Sequence, residues 1–320
     1  MKSKKLEPRA LLASALPLSL FFIGGTVLYA GRSGDASLLS YLLAALLSAL
    51  LLSAASPAAR EIFSPPSVRE AKGFLRKLSL SLFSILSVLA ASALALVSAG
   101  EFSHFASDVM FLRLPTPLIS LLFLVFCVFF ASKGLTVAKK LSRFAFILVF
   151  AGASLLFVYS IPSMSFDSFA LDPGTPTASE VIKIFVSLFL PLAIPLIFLC
   201  TESSDVKAPL SAPLTGVALG SALILLCHVN VLLLFGKPLA ESLPMPYPEA
   251  VATVTAGKLF LRLEGVFYAM YFAAASFRCG LCLALASTAV RKLFPRVKSL
   301  PVCGFLGLAV YLFLNFLPVP

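Results

Sequence analysis

Nine apolar stretches, at roughly residues 10–31, 36–57, 78–100, 116–132, 143–161, 181–200, 211–235, 263–290 and 301–319, leave little of the chain polar. Most reach the ~20 helical residues that cross a hydrocarbon core. Lipid offers no partner to exposed backbone groups, so so many spans must be helical. The pattern predicts an all-α polytopic membrane protein of about nine transmembrane helices, folded as a single integral membrane domain over residues 1–320.

Two spans carry helix breakers inside them. The first has Pro17 followed by Gly24-Gly25-Thr26, and the sixth has Pro191 and Pro195. Proline removes an intrahelical hydrogen bond and crowds the preceding turn. In lipid the freed carbonyls must face protein or a watery cavity. These two spans start five spans apart and so run in opposite directions. Broken helices at matching positions of oppositely oriented halves point to the ligand site of an inverted-repeat transporter. The plainer reading is that membrane helices often carry such kinks.

Composition agrees with the pattern: 60% hydrophobic residues, 12% charged and a mean hydropathy of +1.03 exclude a soluble globular chain. The net charge of +11 is a topology signal rather than a nucleic-acid footprint, because 18 of the 25 basic residues lie in alternate gaps. The N-terminus has Lys2, Lys4, Lys5 and Arg9, and later gaps on the same side include Arg69, Lys72, Lys139, Lys140, Arg291 and Lys292. By the positive-inside rule the N-terminus is cytoplasmic and, with nine spans, Pro320 lies outside. The basic N-terminal run before an apolar segment resembles a signal peptide, but its length favours an uncleaved first span.

Between spans, the gap 58–77 reads as a loop plus a basic amphipathic stretch at the headgroups. The proline-rich gap 162–180 reads as a loop, and residues 249–261 are expected to form a short surface helix.

Candidate chemistry is sparse. Glu264 and Arg278 are the ionisable residues deepest in apolar surroundings, where a charge costs ~3 kcal/mol or more and usually faces the bundle interior or water. They lie about 21 Å apart along one helix and cannot pair. Glu264, beside Arg262, is either an interfacial ion pair or part of an outer vestibule. Arg278 either snorkels inward or pairs with an acid on another span. Tyr268 and Tyr271 either place hydroxyls in a cavity or pack as aromatics. The Cys-x-x-Cys of Cys279 and Cys282 sits inside a helix and reads as small packing residues. Two distant histidines, His104 and His228, make no metal site. No phosphate loop, zinc spacing or nucleophile elbow is present, so neither an enzyme activity nor a cofactor is expected.

Asp35-Ala36-Ser37-Leu38 opens the second span and Leu112-Arg113-Leu114-Pro115-Thr116-Pro117 enters the fourth. Lys133-Gly134-Leu135-Thr136-Val137-Ala138-Lys139 follows it, and Tyr247-Pro248 and Leu261-Arg262-Leu263-Glu264 come later. In this order these patterns resemble the spore germination permease family, the integral-membrane B subunit of endospore germinant receptors. Ser37 stands where the family has Trp, and Thr136 and Lys139 where it has an acid and an arginine.

The resemblance implies a branch of the amino acid–polyamine–organocation superfamily. Its fold would be a leucine-transporter-like five-plus-five inverted repeat (residues 9–161 and 181–319) lacking the tenth helix, with helices 1 and 6 broken. A small ligand such as an amino acid would bind near Gly24, Gly25, Thr26, Pro191, Ala193 and Pro195, with Tyr268 and Tyr271 on the eighth span. Arg262, Glu264 and Arg278 are candidates for coupling or for the vestibule. The partners implied are the receptor A and C subunits and the lipid bilayer, in the spore inner membrane. A stand-alone amino acid permease and a degenerate paralogue with a purely structural role are the alternatives.

Overall fold

The structure is a computed structural model describing residues 8–30, 40, 42–48, 50–51, 54, 73–111, 113–165, 177–185, 211–254 and 264–316. Its long elements are α1 (Pro8–Thr26), α2 (Phe74–Phe105), α3 (Thr116–Ser132) and α4 (Gly134–Ser160) in the first half. The second half has α5 (Ala178–Ile184), α6 (Ser211–Ser242), α7 (Pro246–Thr253), α8 (Glu264–Leu293) and α9 (Ser299–Phe316). No strand occurs among the described residues. Five of these helices are long and apolar enough to cross a membrane, and α1 and α3 carry shorter apolar stretches. Half of the expected second span and most of the sixth lie outside the described residues.

Helix α8 is the axis of the bundle. It packs against α1, α2, α3, α4 and α9, and 83% of its most apolar stretch is buried, against 22% for α9. The sequence accounts for this. Ala273, Ala274, Ala275, Cys279, Gly280, Cys282, Ala284 and Ala286 leave α8 narrow on every side, and small residues let membrane helices approach closely. A Cβ added at Gly280 would lie 2.9 Å from Phe130 Cε1 of α3. Helix α1 packs on α6 in the same way: a Cβ at Gly216 would lie 2.7 Å from Leu18 Cβ, and one at Gly220 3.1 Å from Phe22 Cδ1.

Polar clamps tie neighbouring helices. Asn315 Nδ2 of α9 donates to Ser120 Oγ of α3 at 3.1 Å. Ser40 Oγ, from the second apolar stretch, donates to Glu180 Oε2 of α5 at 3.0 Å. The motif entering the fourth span has a local rationale: Pro115 is the N-cap of α3 and Pro117 lies in its first turn, where no intrahelical N–H is needed.

Several expected boundaries shift. The third span does not end at residue 100; α2 continues to Phe105 and closes in a π turn over Ala106–Met110, because Phe102 and Phe105 extend its apolar face past Glu101. Helix α1 runs unbroken through Pro17 and tightens to a 3₁₀ turn only at Val27–Tyr29, so its departure from α geometry follows Thr26. Helix α6 passes residue 235, bends at Gly236, whose φ is 70°, and resumes to Ser242. The short helix expected over 249–261 starts earlier, at Pro246, and ends at Thr253, since proline is well placed in a first turn.

Candidate functional site

The buried face of α8 presents Tyr271, Ala274 and Arg278, which are three to seven residues apart and so lie on one side of the helix. Arg278 sits at the middle of α8 and is 6% exposed. Helix α1 closes over its stem. A Cβ at Gly24 would lie 2.7 Å from Arg278 Cδ and 3.0 Å from the Ala274 carbonyl oxygen. Only glycine lets the α1 backbone come this near.

Glu101 approaches from α2. It interacts electrostatically with Arg278. Glu101 Oε2 and Arg278 Nε are both buried, and neither has a hydrogen-bond partner. Glu101 on α2 and Arg278 on α8 thus each keep a buried side-chain atom whose hydrogen-bonding capacity is unused.

An aromatic cluster lies along the same helices, towards the N-terminus of α8. Tyr271 packs edge-on to Phe105 at 5.1 Å and stacks on Phe267 at 6.0 Å between ring centroids. Phe102, the neighbour of Glu101, lies 5.9 Å from Tyr271 and stacks on Phe123 of α3 at 4.3 Å. Tyr268, half-buried, meets Phe105 at 5.8 Å. Helix α7 adds Tyr247, fully buried and 5.4 Å from Phe267. Tyr247 faces Cys227 and Asn230 of α6, and burial pushes its phenol well above the ordinary tyrosine range.

The cysteines serve packing. Cys127 Sγ donates to the Ser276 carbonyl oxygen and Cys279 Sγ to that of Ala95, each at 3.8 Å. Both bridge α8 to a neighbouring helix. Among the described residues no cluster of three His, Cys, Asp or Glu side chains is placed to hold a metal ion.

Of the residues singled out from the sequence, Gly24 and Arg278 meet, while Tyr271 lies two turns away on the same face of α8 and, with Tyr268, joins the aromatic cluster. Glu264 opens α8, far from Arg278, and is partly exposed. Gly25 and Thr26 lie in the last turn of α1. Pro191, Ala193, Pro195 and Arg262 lie wholly outside them. Glu101 is the residue that sequence reading missed. The signal was the resumption of apolar residues at Phe102 and Phe105, one helical turn apart, which keeps the acid inside the span.

Long apolar helices gathered around one buried axial helix make this an all-helical membrane protein, and its likeness to solved transporters shows the leucine-transporter-like fold. A substrate-bound, outward-open Na+-coupled sialic acid symporter superimposes with a TM-score of 0.65 at 12% identity, covering 95% of this chain and 72% of its own. A nucleobase-cation-symport-1 family transporter, closed with bromovinylhydantoin bound, gives a TM-score of 0.58 at 16% identity, covering 97% of this chain and 72% of its own. At such identities the likeness shows the fold alone. No curated protein matches the sequence. The chain belongs to the spore germination protein family, whose pattern it matches over residues 18–318. The family and these neighbours are permease-like membrane proteins.

Proposed function

We propose that this chain is the membrane subunit of a nutrient germinant receptor. It binds a small ligand such as an amino acid and acts with receptor A and C subunits to trigger germination. The observation that carries this reading is the family match over residues 18–318, and the transporter fold supplies a reason for a small-molecule site. The fold's two repeats are assigned to residues 9–161 and 181–319. The ligand sits where α1 meets α2 and α8, at Gly24, Gly25, Thr26, Tyr268 and Tyr271, completed by Pro191, Ala193 and Pro195 of the sixth span. Arg262 and Glu264 belong to the vestibule above it. The protein resides in the spore inner membrane, with a cytoplasmic N-terminus, on the distribution of its lysines and arginines.

Deletion in a sporulating host, followed by a panel of nutrients, tests the reading. The expected result is lost or delayed germination with one nutrient class and normal germination with a non-nutrient trigger. An unchanged response to every nutrient would overturn it. The transporter neighbours favour a second reading, a stand-alone permease. Uptake of solute by the purified chain in liposomes, without partner subunits, would select that reading instead.

A further inference from the structure

We propose that the groove between α3 and α4 seats an acyl chain of an anionic phospholipid, with Lys133 and Lys140 holding its headgroup at the α3–α4 turn. This site is on the lipid-facing side of the bundle and is independent of the germinant reading.

A cavity of about 310 Å³ opens between α3 and α4 over the axial helix α8. Phe126 and Phe130 form one wall, Leu141 and Leu148 the other, and Phe272 and Ser276 the floor. Phe126, Leu141, Leu148 and Phe272 are exposed, so in a membrane the groove faces lipid. Ser276 is the one polar side chain among its described lining residues, and that hydroxyl is already used. Its Oγ donates to the Phe272 carbonyl oxygen at 2.6 Å. A polar solute in the groove would leave its own groups unpaired, at a desolvation cost. A hydrocarbon chain carries no such groups.

The three helices give the groove a direction. Helix α3 reaches the turn just after Phe130, and α4 leaves it just before Leu141. Phe130 meets Phe277 of α8 at 5.1 Å between ring centroids, so these three residues mark the end nearest the turn. From there α8 lines the groove back to Ala269, about 12 Å of helix rise. That length is close to the roughly 15 Å of hydrocarbon in one leaflet.

At the turn the charge is of one sign. Lys133, three residues past Phe130, is exposed and lies over the Phe129 ring at 4.8 Å. Lys140 is exposed and adjoins Leu141. No Asp or Glu occurs between Asp108 and Asp167, so the adjoining chain supplies no carboxylate to neutralise them. An acyl chain alone is indifferent to its headgroup. Two ammonium groups at the end of an apolar groove select a lipid whose headgroup is negative.

The chain has no tryptophan, so a single introduced one reports on a single place. Full-length Phe126→Trp, on the groove wall, and Phe150→Trp, exposed and on the opposite face of α4 from Leu141, are reconstituted in mixed phosphatidylglycerol and phosphatidylcholine bilayers. One lipid at a time carries brominated acyl chains, which quench tryptophan on contact. The Phe126→Trp probe should give phosphatidylglycerol a relative affinity about fivefold or more above phosphatidylcholine, as expected for a lysine engaged at a membrane surface. Raising the salt should shrink that preference. The Phe150→Trp probe should be quenched nearly equally by both lipids. Adding Lys133→Gln and Lys140→Gln should abolish the preference at the groove. Arg143→Gln should preserve it, because Arg143 lies about 200° around α4 from Leu141. Should Phe126→Trp fail to insert, Phe272→Trp on the floor replaces it, and the unfolding temperature of the wild-type chain in detergent with either lipid added gives the same comparison. Equal quenching by both lipids in the groove would mean ordinary boundary lipid and overturn the proposal. So would the same preference at both probes, which marks general attraction of anionic lipid to a basic protein. A groove probe that neither lipid quenches, beside a quenched Phe150→Trp, would put a protein segment in the groove and overturn it as well.

Discussion

Gly24 of α1 and Arg278 of α8 touch with no room for one added carbon. A Cβ at Gly24 would sit 2.7 Å from Arg278 Cδ and 3.0 Å from the Ala274 carbonyl oxygen. The carbonyl is backbone and cannot yield, and Arg278 is held at 6% exposure. Gly24→Ala therefore forces α1 away from α8, at an overpacking cost of about 1–3 kcal/mol. The expected outcome is a lower unfolding temperature in detergent together with a weakened germinant response. A variant with wild-type melting and wild-type response would show that the two helices separate freely.

The contact also shows what the chain's pattern made legible. The apolar run 263–290 located α8 to within a few residues, and Arg278 stood out because the nearest other charged residues in sequence are Glu264 and Arg291. Glu101 did not stand out. It follows Gly100 at the end of an apolar run, so an acid there looks like the edge of a span unless Phe102 and Phe105 beyond it are read as its continuation; their rings pack against α8. Pro17 misled in the other direction. A proline inside a span suggests a break, but α1 stays helical across it. Neighbouring helices can re-satisfy backbone groups that proline frees, and a single sequence does not contain that information. That Glu101 of α2 lies within electrostatic reach of Arg278 of α8 is a tertiary fact of the same kind.

The crossing of α3 and α8 depends on Gly280. A Cβ there would fall 2.9 Å from Phe130 Cε1, and the Phe130 ring is itself packed 5.1 Å from Phe277. Gly280→Ala should destabilise the protein by about 1–3 kcal/mol. Phe130→Leu, which clears the space, should recover part of that loss. A double-mutant cycle measured by thermal unfolding should give a coupling of at least about 0.5 kcal/mol. Additive effects would mean that the ring moves aside at no cost.

The clamp between α9 and α3 makes a smaller claim. Asn315 Nδ2 donates both to Ser120 Oγ at 3.1 Å and to the Tyr311 carbonyl oxygen at 2.9 Å. Hydrogen bonds between membrane helices are worth about 0.6 kcal/mol on average. Asn315→Ala and Ser120→Ala should each cost about that much, and the double variant no more than the larger single. A loss of several kcal/mol in Asn315→Ala would assign the residue a role beyond this clamp.

Tyr247 offers a pH handle outside the membrane-spanning helices. Burial lifts its phenol well above the usual value of about 10. The folded protein keeps the proton over a range in which the unfolded chain releases it, so the folded state binds more protons there. Stability must then fall as pH rises through the range above about 10, and below that range this group contributes no pH dependence. Tyr247→Phe removes the titrating group while keeping the ring packed 5.4 Å from Phe267. Its unfolding temperature should decline less steeply than that of the wild type between about pH 9 and pH 11. Removing the hydroxyl that faces Cys227 and Asn230 should shift the neutral-pH value by an amount equivalent to about 1 kcal/mol or less. Parallel pH profiles for the two proteins would show that the phenol ionises as readily folded as unfolded, and that α7 leaves Tyr247 open to water.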